Sequence, residues 1–198
     1  RRLALFALPL GALLLLSLWY NRARFHDPFE VGYRYLTVGW QARIEKWGLF
    51  SYHYLARNLG VLLTSLPFQG KGEGVAPFTI SIHGVALWLT TPLYLLLLWP
   101  RKTGPTFWAL ALTVACVAAP SLLYQNTGQV QFGYRFSNDY AVFLLAMLAL
   151  SRPRARAWFW ALGLWGVAVN AFGALSFDRA RFSRFYGGDA PTMIYQPD

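Results

Sequence analysis

Leu3–Tyr20 is a stretch of 18 residues without one charged side chain. A helix of about 20 mostly apolar residues crosses the ~30 Å hydrocarbon core, and a single segment can satisfy its own backbone there only as a helix. Arg1-Arg2 ahead of the run suggests a signal peptide, but no small-x-small cleavage site follows. The run ends instead in Ser17-Leu18-Trp19-Tyr20-Asn21, an aromatic anchor of the kind found at a membrane interface. Four further segments read as crossings: Phe78–Trp99, Pro105–Tyr124, Phe132–Leu150 and Ala157–Ser176. The fourth reaches full length only with its polar start, since its unbroken apolar part, Tyr140–Leu150, has 11 residues. The chain is thus expected to be all-α, a polytopic helical membrane protein with about five transmembrane helices in one membrane domain over residues 1–198. Composition agrees: 56% of residues are hydrophobic and 13% charged, whereas a soluble domain is about 25% charged. One cysteine excludes an internal disulfide framework and any multi-cysteine metal site.

The net charge of +10 would suggest nucleic acid in a soluble protein. Here it follows from topology. Arg1, Arg2, Arg101, Lys102, Arg152, Arg154 and Arg156 occupy three connections of the same parity, and those connections hold no acid. The positive-inside rule puts them in the cytoplasm, with the N-terminus of the segment inside and the C-terminus outside. All eight acids, Asp27, Glu30, Glu45, Glu73, Asp139, Asp178, Asp189 and Asp198, then face outward. This pattern predicts a membrane protein without a nucleic-acid partner, its polar chemistry on the extracytoplasmic face. That face comprises residues 21–77 between spans one and two, the loop Gln125–Gln131, and the tail 177–198.

The 21–77 segment is more than a linker. Ser51 is placed to cap a helix reaching about Ser65, closed by Pro67 and the glycine-rich Gly70–Gly74. Tyr52, Leu55, Leu59, Leu62 and Leu66 share one face of it, an extracytoplasmic amphipathic helix that would lie along the outer leaflet or pack on the bundle. His53 and Arg57 project from another face.

Several constellations carry chemistry. Phe29-Glu30-Val31-Gly32-Tyr33-Arg34-Tyr35 is echoed by Val130-Gln131-Phe132-Gly133-Tyr134-Arg135-Phe136. Arg34 and Arg135 offer planar donor forks suited to phosphate oxygens. Two arginines snorkelling in an aromatic belt would give the same pattern. Arg135 and Asp139 are four residues apart, so a helix would put them on one face, where Asp139 either neutralises Arg135 or orients it toward a ligand. Gln125-Asn126-Thr127-Gly128-Gln129 is rich in amides that suit sugar hydroxyls and equally suit a polar turn. His83, near the outer start of span two, is expected to act as an interfacial donor. His26-Asp27 lacks further ligands, so no metal and no cofactor is expected. Pro92, after Thr90-Thr91, should kink span two. Gly163, Gly166, Asn170 and Gly173 form a small-residue stripe that should pack on another helix.

Three stretches carry a family resemblance. They are Asn21-x-x-Arg24-Phe25-x-Asp27-Pro28-Phe29-Glu30-x-Gly32-Tyr33; Gly48-Leu49-Phe50-Ser51 with Tyr54-Leu55-x-Arg57-Asn58-Leu59; and Tyr124-Gln125-Asn126-Thr127-Gly128-x-Val130-Gln131-Phe132-Gly133-Tyr134-Arg135-Phe136-Ser137-x-Asp139. Together they resemble the C-terminal half of bacterial GT-C-type membrane glycosyltransferases, relatives of protein mannosyltransferases. The resemblance implies an enzyme that moves a sugar from a polyprenyl-phosphate carrier to an extracytoplasmic acceptor, with membrane lipid and polyprenyl-phosphate-linked sugar as partners. Arg34, Arg57, Gln125, Asn126, Tyr134, Arg135 and Asp139 are then the expected substrate-binding residues. The family's catalytic carboxylate lies in a first outer loop that no stretch here matches. The catalytic residues are therefore unassigned, and a chain opening on Arg rather than Met is expected to be part of a longer protein whose N-terminal transmembrane region completes the site. The competing expectation is a non-catalytic membrane module: a lipid-binding, transport or scaffold component of envelope assembly.

Overall fold

The computed structural model describes residues 2–69 and 76–188. Arg1, the glycine-rich Gly70–Gly74 and the tail beyond Gly188 lie outside the described residues. The fold is helical, and among the described residues extended pairing is limited to isolated bridges. Three helices are long and apolar enough to cross a membrane: α1 (Arg2–Phe25), α5 (Pro105–Leu123) and α7 (Ala157–Ser176). The chain divides into two units, Arg1–Leu49 and Phe50–Asp198.

In the first unit, none of the 24 residues of α1 is buried, and Leu3 is 81% exposed. A helix that is apolar all round along its length is suited to a hydrocarbon surrounding. Helix α1 runs five residues past Tyr20 and is followed by a turn in which the Asp27 carboxylate accepts from Phe29 N–H at 2.9 Å. Gly32, at φ 95°, opens a 3₁₀ turn over Tyr33–Tyr35. The helix α2 (Gln41–Trp47) ends at Gly48.

The second unit begins with Ser51, whose hydroxyl accepts from His53 N–H at 3.2 Å, ahead of α3 (Leu55–Thr64). The most buried face is Tyr54, Asn58, Val61 and Ser65. Tyr52 is 81% exposed, and the leucines of the expected stripe are half-buried, Leu62 packing against the Val61–Tyr134 cluster. The buried face mixes apolar packing with a clasp on backbone: Asn58 Nδ2 donates to the Leu122 and Tyr124 carbonyls at 2.9 and 2.8 Å, where α5 ends.

Two of the expected spans differ from continuous crossings. Phe78–Trp99 contains an irregular stretch over residues 78–86, with a turn closed by Gly84 N–H on Ser81 O at 2.8 Å, one helical turn α4 (Leu87–Thr90), and a 3₁₀ segment over Pro92–Leu98. Thr91, at φ −139° and ψ 70°, leaves the helical region because the following proline crowds it, so the helix breaks rather than bends. The freed carbonyls find donors on α7. Trp165 Nε1 reaches Leu89 O at 3.0 Å and Asn170 Nδ2 reaches Thr90 O at 2.7 Å. In Phe132–Leu150 the helix α6 begins only at Asn138 and has 14 residues, a length of about 21 Å. It packs along α5 in a hairpin.

Polar and apolar side chains share the interior of this unit. His83, Thr127 and Gln131 are 3%, 1% and 3% exposed, and Val61, Ile80, Val85 and Phe107 are buried with them, while Trp99, Leu164 and Leu175 are 80%, 69% and 72% exposed. The buried polar groups hold backbone that has left regular helix.

Candidate functional site

The loop between α5 and α6 is built around Gln131. Its Nε2 donates to the His83 and Thr127 carbonyls at 2.7 and 2.8 Å, and its Oε1 accepts from Arg135 N–H at 2.9 Å. Beside it, His83 Nδ1 lies 2.6 Å from Thr127 Oγ1, and Gln131 N–H donates to Ile82 O at 3.2 Å. The 78–86 stretch is held by these bonds and by others, among them Val85 N–H to Phe132 O at 2.9 Å, Ala86 N–H to Ser65 O at 2.7 Å, Ser65 Oγ to Gly84 O at 2.6 Å, and Thr79 and Ile80 N–H to the Phe68 and Phe185 carbonyls, each at 2.7 Å. This explains why an apolar run reads as a helix and folds as something else. Its backbone is shared among the end of α3, the loop before α6 and the segment after α7.

Arg135 emerges from this scaffold. Its guanidinium lies over the Phe136 ring, 5.5 Å from the centroid, and its side chain is exposed. Gly128, at φ +97°, permits the approach: a Cβ there would stand 3.2 Å from Arg135 Nε. Arg135 borders a cleft of about 360 Å³ lined also by Thr90, Thr91, Tyr134, Asn138 and Asn170. Among the described residues, that lining offers one cation with amide and hydroxyl groups, and it holds no carboxylate, imidazole or thiol. Such a set can bind an anion and hydroxyls.

A second cavity, of about 520 Å³, adjoins it and shares Phe132. Its walls are apolar, including Phe78, Ile80, Leu89, Trp165 and Phe172. Gly173 backs this wall: a Cβ there would overlap the Phe132 ring, so the glycine sets how closely α7 approaches the loop.

The expected site residues scatter. Tyr134 and Arg135 line the polar cleft; Asp139 and Arg57 do not. Asp139 is exposed in the first turn of α6, and no ion pair joins it to Arg135, because residues 135–137 form a 3₁₀ turn and the guanidinium follows Phe136 instead. Arg57 sits half-buried on α3. Asn126 is a turn former: its Oδ1 accepts from Gly128 N–H and Gln129 N–H at 2.8 and 3.1 Å. Gln125 is buried, 3% exposed, at the end of α5. Arg34 belongs to the first unit, where its Nε lies 3.1 Å from the carboxylate of the buried Glu30. The two echoed motifs both make 3₁₀ turns, but one residue out of register, over Tyr33–Tyr35 and Arg135–Ser137. Sequence reasoning did not assign Thr90, Thr91, Asn138 and Asn170 to a cleft. Asn170, a polar break in a small-residue stripe, was the signal available.

Compared with family models, with characterised proteins and with solved structures, the chain finds no match in any of the three.

Proposed function

We propose that the chain holds a polyprenyl-phosphate-linked sugar at the membrane surface, as the membrane region of a GT-C-type glycosyltransferase. The observation that supports this most is the adjacency of the Arg135 cleft to the apolar cavity across Phe132. A prenyl chain would occupy the apolar side. Its phosphate would meet the Arg135 guanidinium, a charge-assisted donor fork. The sugar hydroxyls would face the amides of Asn138 and Asn170. In sugar transfer, Arg135 would stabilise the departing lipid phosphate. Five spans, with α4 and the Pro92–Leu98 segment forming one broken crossing and α6 lengthened by its polar start, would place this cleft on the extracytoplasmic face of a bacterial inner membrane. The cytoplasmic side would hold the three basic connections.

A second reading rests on the cleft chemistry itself. Without a carboxylate or imidazole in the lining, the chain would be a carrier-binding module rather than a catalyst. Both readings require the carrier. The test is equilibrium binding of a polyprenyl phosphate and of the matching polyprenol to the purified chain in detergent. A charge-assisted contact worth about 1.5–3 kcal/mol should make the phosphate bind roughly tenfold to a hundredfold tighter. Equal affinity would overturn the proposal. Sugar transfer by the same preparation would select the enzyme over the module.

A further inference from the structure

The opposite end of α6 carries a second charged feature, independent of the Arg135 cleft. The two connections there, 99–104 and 152–156, hold Arg101, Lys102, Arg152, Arg154 and Arg156. The one acid between Trp99 and Trp158 is Asp139, in the first turn of α6 and therefore at its far end. Hydrogen bonds tie the connections together rather than letting them splay: Lys102 N–H donates to Ser151 O at 3.2 Å, and Arg101 Nη1 to Arg152 O at 3.2 Å. Five cations, all exposed, are thereby gathered, and the two connections that carry them hold no carboxylate. Arg152 sits at φ 50° and ψ 60°, a left-handed position where glycine is the usual choice.

Between these connections lies a cavity of about 310 Å³. Arg101, Arg154 and Arg156 line one part of it, and Leu96, Trp99 and Trp158 another. The indoles are 80% and 44% exposed. The topology rule accounts for basic residues in these loops. It does not account for guanidinium groups and exposed indoles sharing one cavity.

We propose that this cavity binds the phosphate headgroup of an anionic membrane phospholipid, with its acyl chains against Leu96, Trp99 and Trp158. Charge complementarity selects an anion, and the mixed lining selects an amphiphile over a free phosphate. Basic pockets between membrane helices recognise lipid headgroups by this combination. The bound phosphate would relieve the repulsion among the gathered arginines and would brace the α5 and α7 starts against the end of α6.

The test uses the whole chain reconstituted in phosphatidylcholine nanodiscs doped with a small fraction of bromine-labelled lipid, either phosphatidylglycerol or phosphatidylcholine. Subtracting the response of a Trp99→Phe/Trp158→Phe variant isolates the quenching of these two indoles. The proposal expects labelled phosphatidylglycerol to quench them at least threefold more than labelled phosphatidylcholine. Millimolar inorganic phosphate should leave that excess in place. Replacing Arg101, Arg154 and Arg156 with Gln should remove it. Equal quenching by the two lipids overturns the proposal, as does full displacement by inorganic phosphate, which would mark a site for a soluble anion. The wild-type lipid comparison decides the matter even if the triple variant fails to fold.

Discussion

Gln131 positions Arg135: the same side-chain amide that accepts the Arg135 N–H at 2.9 Å clasps the His83 and Thr127 carbonyls through its other end. The cation bordering the cleft is thus fixed by a residue buried behind it. Replacing Gln131 with Leu should leave two buried carbonyls and one N–H without this partner. The expected cost is about 2–4 kcal/mol, several degrees in melting temperature. Gln131→Glu should be at least as harmful at neutral pH, since a carboxylate would face two carbonyl oxygens. Thermal unfolding in detergent checks both; a Gln131→Leu variant as stable as the parent would show that the clasp contributes nothing.

The stripe on α7 predicts a graded series. A methyl group at Gly163 would meet only Leu93, at 3.9 Å, and at Gly166 it would press on Thr90 O at 3.2 Å. At Gly173 it would overlap the Phe132 ring. Alanine should therefore be neutral at Gly163, mildly destabilising at Gly166, and most destabilising at Gly173, by about 1–3 kcal/mol. Gly166→Leu should be worse than Gly166→Ala. A flat series would mean that this face meets lipid.

Asn170→Leu should unsatisfy Thr90 O at the break before Pro92 and cost about 1–3 kcal/mol. Trp165→Phe should do the same, more weakly, at Leu89 O. Both donors serve one broken helix, so the double variant should cost less than the sum of the two. Strict additivity in a double-mutant cycle would separate the two contacts.

The long apolar helices were legible because their evidence is local. Leu3–Tyr20, Pro105–Tyr124 and Ala157–Ser176 match α1, α5 and α7 to within a few residues, since length and apolarity suffice to specify them. Phe78–Trp99 has the same composition and a different fate. Its backbone bonds go to distant residues such as Ser65, Phe68, Gln131, Phe132 and Phe185, partners that no periodicity reveals. On α3 the leucine stripe was easy to see and is half-buried, whereas the clasp of Asn58 on the end of α5, a contact 64 residues away in sequence, has no local signal. The Arg135–Asp139 pairing presumed a helix starting at Phe132; the 3₁₀ turn before Asn138 removes it. Within the site, Arg135 and Tyr134 could be picked out by their motif, but Asn138 and Asn170 reach the cleft only through packing.

Topology can be read by thiol labelling after Cys116, which is exposed, has been removed. Cysteines at Gly104 and Ala155 should be shielded from impermeant reagents in intact cells, and one at Gly187 should react. The reverse pattern would invert the orientation and move the Arg135 cleft to the cytoplasmic side.

The segment after α7 is held by the Tyr186 hydroxyl, 2.5 Å from Ser176 Oγ. Burial pushes the Tyr186 phenol above its ordinary value, partly offset by that hydrogen bond. A raised pKa keeps the neutral, bonded form, so the contact should persist through the physiological range and fail only in strong alkali, where ionising the buried phenol costs stability. Tyr186→Phe should cost about 0.5–1.5 kcal/mol and increase proteolysis after Phe185, with little effect on α5 and α6.

If Arg135 binds phosphate through its fork, Arg135→Lys should already weaken binding of a polyprenyl phosphate about tenfold while leaving polyprenol binding unchanged. Asp139→Asn should change neither, as its carboxylate does not reach the guanidinium. Loss of affinity for the polyprenol as well would indicate a folding defect rather than a lost phosphate contact.

The most direct test is photoaffinity mapping with a polyprenyl phosphate carrying a diazirine in its first isoprene unit. Cross-linked to the purified chain and located by peptide mass spectrometry, the label should fall on Phe132–Arg135 and on Trp165–Phe172, the walls on either side of the shared Phe132. Unlabelled polyprenyl phosphate should compete it away. Labelling confined to other apolar surfaces, such as α1, or labelling that excess carrier does not reduce, would contradict a carrier site at Arg135.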